Sequence, residues 1–191
     1  MILAGVLGLV SCDSGGDSNS QNANQTVTPP NNLTNASTNN TTNPTNSGAN
    51  AALIATYQAE LFAKINAERT SASLVALIDD PRLTALGDNH NLYMAQQAQA
   101  SGSSAIQINH DNFQDRANTA FTYGYNFVGE NVGALRGFPQ SQVTDTLVTG
   151  WNNSPGHRAN IVGDFTHTGI SVYIDPTDNT IYATQIFARL P

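Results

Sequence analysis

GISVYIDPTDNTIYATQIFA, residues 169–188, decides the fold class. Ile170, Val172 and Ile174 recur at the period of two that turns one face of a strand toward a core. Asp175, Pro176, Thr177, Asp178 and Asn179 supply turn chemistry, and Thr180 to Ala188 returns, so the segment predicts an antiparallel hairpin. Upstream the period changes. Val143, Leu147 and Trp151 stand four residues apart in a helix that opens at Pro139 and stops at the NNSPG of residues 152–156. Between residues 123 and 131, YGYNFVGEN is rich in aromatic and β-branched residues and predicts a strand ending at Gly129–Glu130, with a polar loop before it. Leu83, Leu86, His90, Met94 and Gln97 lie down one side of a second helix, with Asp80 as its N-cap and Pro81 at its first position. Ile54, Tyr57, Leu61 and Ile65 form the stripe of a third helix, in AALIATYQAELFAKINAER from residue 51. Helices with an antiparallel sheet make an α+β fold, a sandwich with the sheet at its centre, in one domain over residues 51–191.

The N-terminal part reads differently. Ile2 to Val10 is an uncharged aliphatic run, too short to span the roughly 30 Å bilayer core as a helix. With Ser11 it reads as an export signal over residues 1–11, although Met1–Ile2 carries no basic residue. Leu9-Val10-Ser11-Cys12 resembles the lipobox of bacterial lipoprotein precursors, which makes Cys12 the lipidation site and first residue after cleavage. Acyl chains would then replace the excised signal as the link to a membrane, at about 0.8 kcal/mol for each buried methylene. Residues 12–50 continue as an Asn/Thr/Ser-rich stretch with Val27 and Leu33 as its sizeable apolar residues. Such a stretch cannot bury enough apolar area to offset its conformational entropy, so it predicts a disordered tether.

Composition excludes several classes of function. The chain carries 7 Lys+Arg against 14 Asp+Glu, a net charge of -7, and its basic residues are scattered, which argues against a grip on nucleic acid. Cys12 is its single cysteine, so neither an intramolecular disulfide nor a thiolate-built zinc site is available to hold the domain. No GxSxG elbow accompanies a candidate nucleophile, and Ser154 before Pro155 suits a helix stop.

Short motifs follow one another through the domain: INAER (65–69), DPRL (80–83) with HNLYMA (90–95), NHD (109–111), GEN (129–131), WNNSPGHRANI (151–161), GISV (169–172) and YATQIF (182–187). Their order and spacing resemble the CAP superfamily of cysteine-rich secretory proteins, antigen 5 and pathogenesis-related proteins, in its cysteine-poor bacterial branch. The resemblance implies an α-β-α sandwich and a cleft lined by two histidines and two glutamates. It assigns His110, Glu130 and His157 to that cleft, while the position of the second glutamate, three residues after Trp151, holds Ser154.

Two imidazoles and a carboxylate are able to hold Zn²⁺ or another divalent cation with an open position, or to act as base and acid on water. They are equally able to brace loops by hydrogen bonding. Separations of 20 residues from His110 to Glu130 and 27 from Glu130 to His157 leave their convergence open. The expected protein is therefore a lipid-anchored, extracytoplasmic binding module for an envelope component, a small lipid or a protein. The alternative is a metal-dependent hydrolase using the same residues. His90 and Trp151 are expected in the core, and His167 near the rim, outside the site.

Overall fold

A computed structural model describes residues 6–12, 48–102 and 104–191. The elements in chain order are β1 (Val6–Cys12), α1 (Gly48–Ser71), β2 (Ile78–Asp79), α2 (Pro81–Ser101), α3 (Phe113–Thr122), β3 (Phe127–Arg136), α4 (Val143–Asn153), α5 (Pro155–Ile161), β4 (His167–Ile174) and β5 (Ile181–Arg189). They form one sheet in the order β1-β3-β5-β4-β2, antiparallel except where β2 pairs in parallel with β4. The hairpin appears as β4 and β5, with Tyr173 opposite Tyr182 and Ile174 opposite Ile181. Asp175 accepts from the backbone N–H of Thr177 in the turn.

Strand alternation sorts the two layers. Leu135 of β3 and Phe187 of β5 belong to a core with Tyr57, Leu61 and Ile65 of α1, Leu147 and Trp151 of α4, and Ile161 of α5. On the opposite face Val128 and Ile186 pack with Leu83 and Leu86 of α2 and Ala117 and Ala120 of α3. Val132 and Tyr182 extend that face toward Met94 and Ala95. The expected α-β-α sandwich is thus built, with α1, α4 and α5 over one face and α2 and α3 over the other. Fully burying a large aliphatic or aromatic side chain contributes about 1.5–3 kcal/mol, which is how a domain without disulfides holds together.

Three features fix how α2 lies on the sheet. Asp80 caps the helix by accepting from the Arg82 backbone N–H at 2.8 Å, with Pro81 at the first position as the sequence indicates. Gly169 of β4 then lets the helix start come close: a Cβ there would lie 2.1 Å from the Thr84 nitrogen and 2.5 Å from the Leu83 carbonyl carbon. One turn on, Gly87 sits so close that its Cβ would meet that of Ser171 at 2.8 Å. His90, three residues further, is delivered onto the sheet face.

Arg69 closes the opposite layer. Its guanidinium donates to the carbonyls of Val75, Ile161, Gly163 and Phe165 at 2.8–3.0 Å, tying the end of α1 to the end of α5 and to the lead-in of β4. Burial pushes its pKa down from the usual arginine value, with the Asp164 charge opposing that shift.

Several boundaries differ from the sequence reading. The strand expected to end at Gly129–Glu130 starts at Phe127 and runs on to Arg136, because β5 supplies a full ladder partner out to Leu135. The polar loop before it contains α3, whose buried residues are Arg116, Ala117 and Ala120, too small or too polar to stand out as an apolar stripe. The helix stop at residues 152–156 is a junction at which Pro155 starts α5. Helix α1 begins at Gly48, three residues before the expected domain start, and residues 13–47 of the tether lie outside the described residues. Val6–Cys12, read as the end of the export signal and the lipobox, lies as an edge strand along β3, with Val6 opposite Arg136 and Cys12 opposite Glu130. Export signals and strands draw on the same property, an uncharged aliphatic run.

Candidate functional site

Glu130 is the centre of the site. It is 0% exposed, and a carboxylate so placed needs cationic or donor partners. Arg116 of α3 supplies them: Nε reaches Glu130 Oε2 and Nη2 reaches Oε1, both at 2.7 Å. The third donor is His110, with Nδ1 2.7 Å from Oε1. Burial alone pushes the Glu130 carboxyl up, but the bonds from His110 and Arg116 outweigh it and hold the carboxyl below the usual range. Glu130 is therefore an anion, and the short contact requires the His110 Nδ1 to carry the proton. In the neutral ring this leaves a lone pair on His110 Nε2, a buried atom with no partner among the described residues.

The loop that carries His110 is pinned from two sides. Arg116 Nη1 donates to the Asp111 carbonyl at 2.8 Å, so one guanidinium serves both loop and carboxylate. His90 Nε2 donates to the Asn109 carbonyl at 2.9 Å. Burial holds His90 below the ordinary imidazole pKa, partly opposed by the Glu130 charge, and keeps it neutral. As expected, His90 is a hydrogen-bonded core residue, yet its Nε2 also stands 3.9 Å from Glu130 Oε1 and its ring positions the loop of the site.

His157 enters from the other layer. Asn160 of α5 donates to the Glu130 carbonyl at 3.1 Å and to Asn131 Oδ1 at 2.8 Å. Asn131 Nδ2 in turn donates to the His157 carbonyl at 3.2 Å. The helix carrying His157 is thus fastened to the strand residues of the GEN motif. Its buried ring stands 6.5 Å from that of Trp151, which is itself core, with Nε1 donating to the Val132 carbonyl at 3.1 Å. Alternation along β3 sends the Glu130 side chain toward α2 and α3 and that of Asn131 toward α5, so His110 and His157 flank one strand from opposite layers. Ser154 occupies the junction between α4 and α5, its carbonyl accepting from Arg158 N–H at 2.8 Å, and brings no carboxylate. His167 starts β4, where its Nδ1 meets Thr166 Oγ1 at 2.8 Å, and β5 stands between it and β3.

Of the three residues read as donors for a metal, Glu130 has both oxygens engaged by Arg116 and His110. Among the described residues no three His, Cys, Asp or Glu side chains are grouped as a metal set. Arg116 and Asn160 are the participants that motif reading passed over. The available signal was electrostatic: Arg116 is the one basic residue between His110 and Glu130, and a buried carboxylate requires a cation.

Three layers, with helices on both faces of one sheet, define the class of fold. The chain belongs to the CAP, or cysteine-rich secretory protein, family, whose model matches residues 62–187. No curated protein matches the sequence. Among solved structures it is similar to an outer surface protein from Borrelia burgdorferi, with TM-score 0.57 and 18% identity over 71% of this chain and 94% of that one. It is also similar to an extracellular protein containing an SCP domain from Bacillus anthracis str. Ames, with TM-score 0.53, 24% identity and 71% of this chain matched to 41% of that one. For a cysteine-rich secretory protein from Staphylococcus aureus subsp. aureus Mu50 the values are 0.52, 23%, 71% and 38%. At these identities the likeness is one of fold.

Proposed function

We propose that this protein is a membrane-anchored, extracytoplasmic CAP-domain binding module that recognises an envelope component, a small lipid or a protein beside His110 and His157. The observation that carries this reading is the saturation of Glu130 by Arg116 and His110. A general base must be free to take a proton, whereas a carboxylate locked by a bidentate guanidinium keeps a loop in shape. Ser154 at the place of the second family glutamate points the same way. Cys12 within its lipobox-like tetrapeptide supports the anchor, and the outer-surface and extracellular relatives support the compartment. Cys12→Ala is expected to move the protein from the membrane fraction to the soluble one; a variant that stays with membranes would contradict the anchor.

The unpartnered His110 Nε2 favours one further reading, a divalent-cation site. A carboxylate bound to one imidazole nitrogen while the other faces a metal is a recurrent arrangement. In this reading His110, oriented by Glu130, is one donor, and His157, which comes from the opposite layer, would have to be the second. A zinc ion there would supply Lewis acidity or a bound hydroxide for hydrolysis. Calorimetric titration of Zn²⁺ into wild type, His110→Ala and His157→Ala tests it. Stoichiometric binding lost in both variants supports a cation site, and no heat of binding in wild type refutes it.

A further inference from the structure

The outer edge of β3 is occupied by the chain's own N-terminal segment. Val6–Cys12 pairs with it antiparallel over seven positions, from Val6 opposite Arg136 to Ser11 opposite Asn131 and Cys12 opposite Glu130. Helices α4 and α5, which also border β3, pack along this segment. Cleavage before Cys12, which lipidation of that residue entails, removes Val6–Ser11 and leaves those alternate N–H and C=O groups of Asn131–Arg136 that pair with it facing outward beside the GEN motif. An open edge of this kind is a template for another strand.

We infer that in the processed protein this edge binds an extended, uncharged peptide segment of a partner protein by strand addition, in the register that Val6–Ser11 holds in the precursor. The inference rests on the binding-module reading and names the class of partner. Three observations select that chemistry. The segment already seated there is VLGLVSC, uncharged and built of small and branched aliphatic residues. The two charged residues of β3 are both neutralised, Glu130 by Arg116 and Arg136 by Asp178, so the edge offers no free charge to a charged peptide. The tether is a poor occupant, since residues 13–47 hold Pro29, Pro30 and mostly Asn, Thr and Ser. Main-chain bonds supply affinity in strand addition, and the side chains on alternate positions supply selectivity.

The test compares three proteins carrying Cys12→Ser: the full chain, a form beginning at residue 12, and the full chain with Gly8→Pro and Leu9→Pro. Ladder N–H groups alternate along a strand, so prolines at two adjacent positions must remove one of them and release β1. The probe is a fluorescent peptide of residues 5–11 flanked by lysines, read by anisotropy. The form beginning at residue 12 and the proline variant are expected to bind saturably, with the full chain at least tenfold weaker. A backbone N-methylated peptide of the same sequence is expected to lose binding. Absence of saturable binding by both open forms, with circular dichroism and melting like those of the full chain, would overturn the inference. So would equal binding of the N-methylated peptide, which indicates hydrophobic adhesion, or dimerisation of the open form in sedimentation without peptide binding, which assigns the edge to a second copy. If the open forms fail with the peptide but still bind zinc or envelope fragments through His110 and His157, the inference falls and the binding-module reading survives.

Discussion

Replacing Arg116 by methionine removes both 2.7 Å bonds to Glu130 and the 2.8 Å bond to the Asp111 carbonyl while keeping much of the side-chain volume. Glu130 then remains fully buried with His110 as its close remaining donor. Breaking a buried pair by deleting one partner costs about 3–5 kcal/mol, because the other charge is left uncompensated. Such a loss lowers the melting temperature of a domain near this size by roughly 6–20 °C. The pH dependence has a definite sign. Without Arg116 two of the influences that lower the Glu130 carboxyl are gone while burial, the largest influence, still raises it, so its pKa rises relative to wild type and the penalty, full at neutral pH, shrinks as pH falls. The gap between Arg116→Met and wild type should therefore narrow between pH 7 and pH 4. Urea unfolding at both pH values, with Glu130→Gln and the double variant completing a cycle, measures the coupling. An Arg116→Met protein within about 1 kcal/mol of wild type at pH 7, or a gap that does not change with pH, would refute the assignment of Arg116 as the counter-ion; the threshold is the usual worth of an exposed pair.

Arg69→Lys should destabilise the domain by about 2–3 kcal/mol in denaturant unfolding, since an ammonium cannot reach four carbonyls arranged for a guanidinium. Gly169→Ala places a Cβ within 2.1 Å of the Thr84 nitrogen and should cost at least about 2 kcal/mol, read as a loss of melting temperature. His90 has a depressed pKa in the folded state, so its contribution is complete above the unfolded value of about 6.5 and is lost as pH falls through the folded one. Stability measured from pH 7 to pH 5 should fall more steeply for wild type than for His90→Gln. Asp80, held down to about 2 first by its hydrogen bond with Arg82, keeps its contribution until pH drops below about 4. Asp80→Asn should accordingly flatten the acid limb of the stability curve between pH 4 and pH 2.

What was legible in the sequence was whatever repeats at a period. The hairpin of residues 169–188, the stripe Tyr57-Leu61-Ile65 and the capped start of α2 all lie where alternation, spacing and capping place them. Elements built from small residues escaped: α3 buries alanines and an arginine, and the second half of β3 passes through Gly133 and Ala134, which carry weak strand preference. Tertiary pairing with β5 overrides that preference. The same division holds at the site. Motif order pointed to His110, Glu130 and His157, but not to which partner each one takes, because Arg116, His90 and Asn160 reach them only through the folding of α3 onto β3, of α2 onto the sheet and of α5 onto the GEN residues. The missing second carboxylate was visible in the sequence as Ser154, and the structure leaves that position at a helix junction.

The most direct test is nitrogen-15 NMR of the histidine rings in the chain beginning at residue 12, at pH 7 with and without Zn²⁺. Glu130 as an orienting carboxylate predicts a proton on His110 Nδ1 in both conditions, and the cation-site reading predicts that the Nε2 resonance moves when zinc is added and stays in place in His157→Ala. A neutral His110 protonated at Nε2 instead of Nδ1 would contradict Glu130 as the carboxylate that orients it.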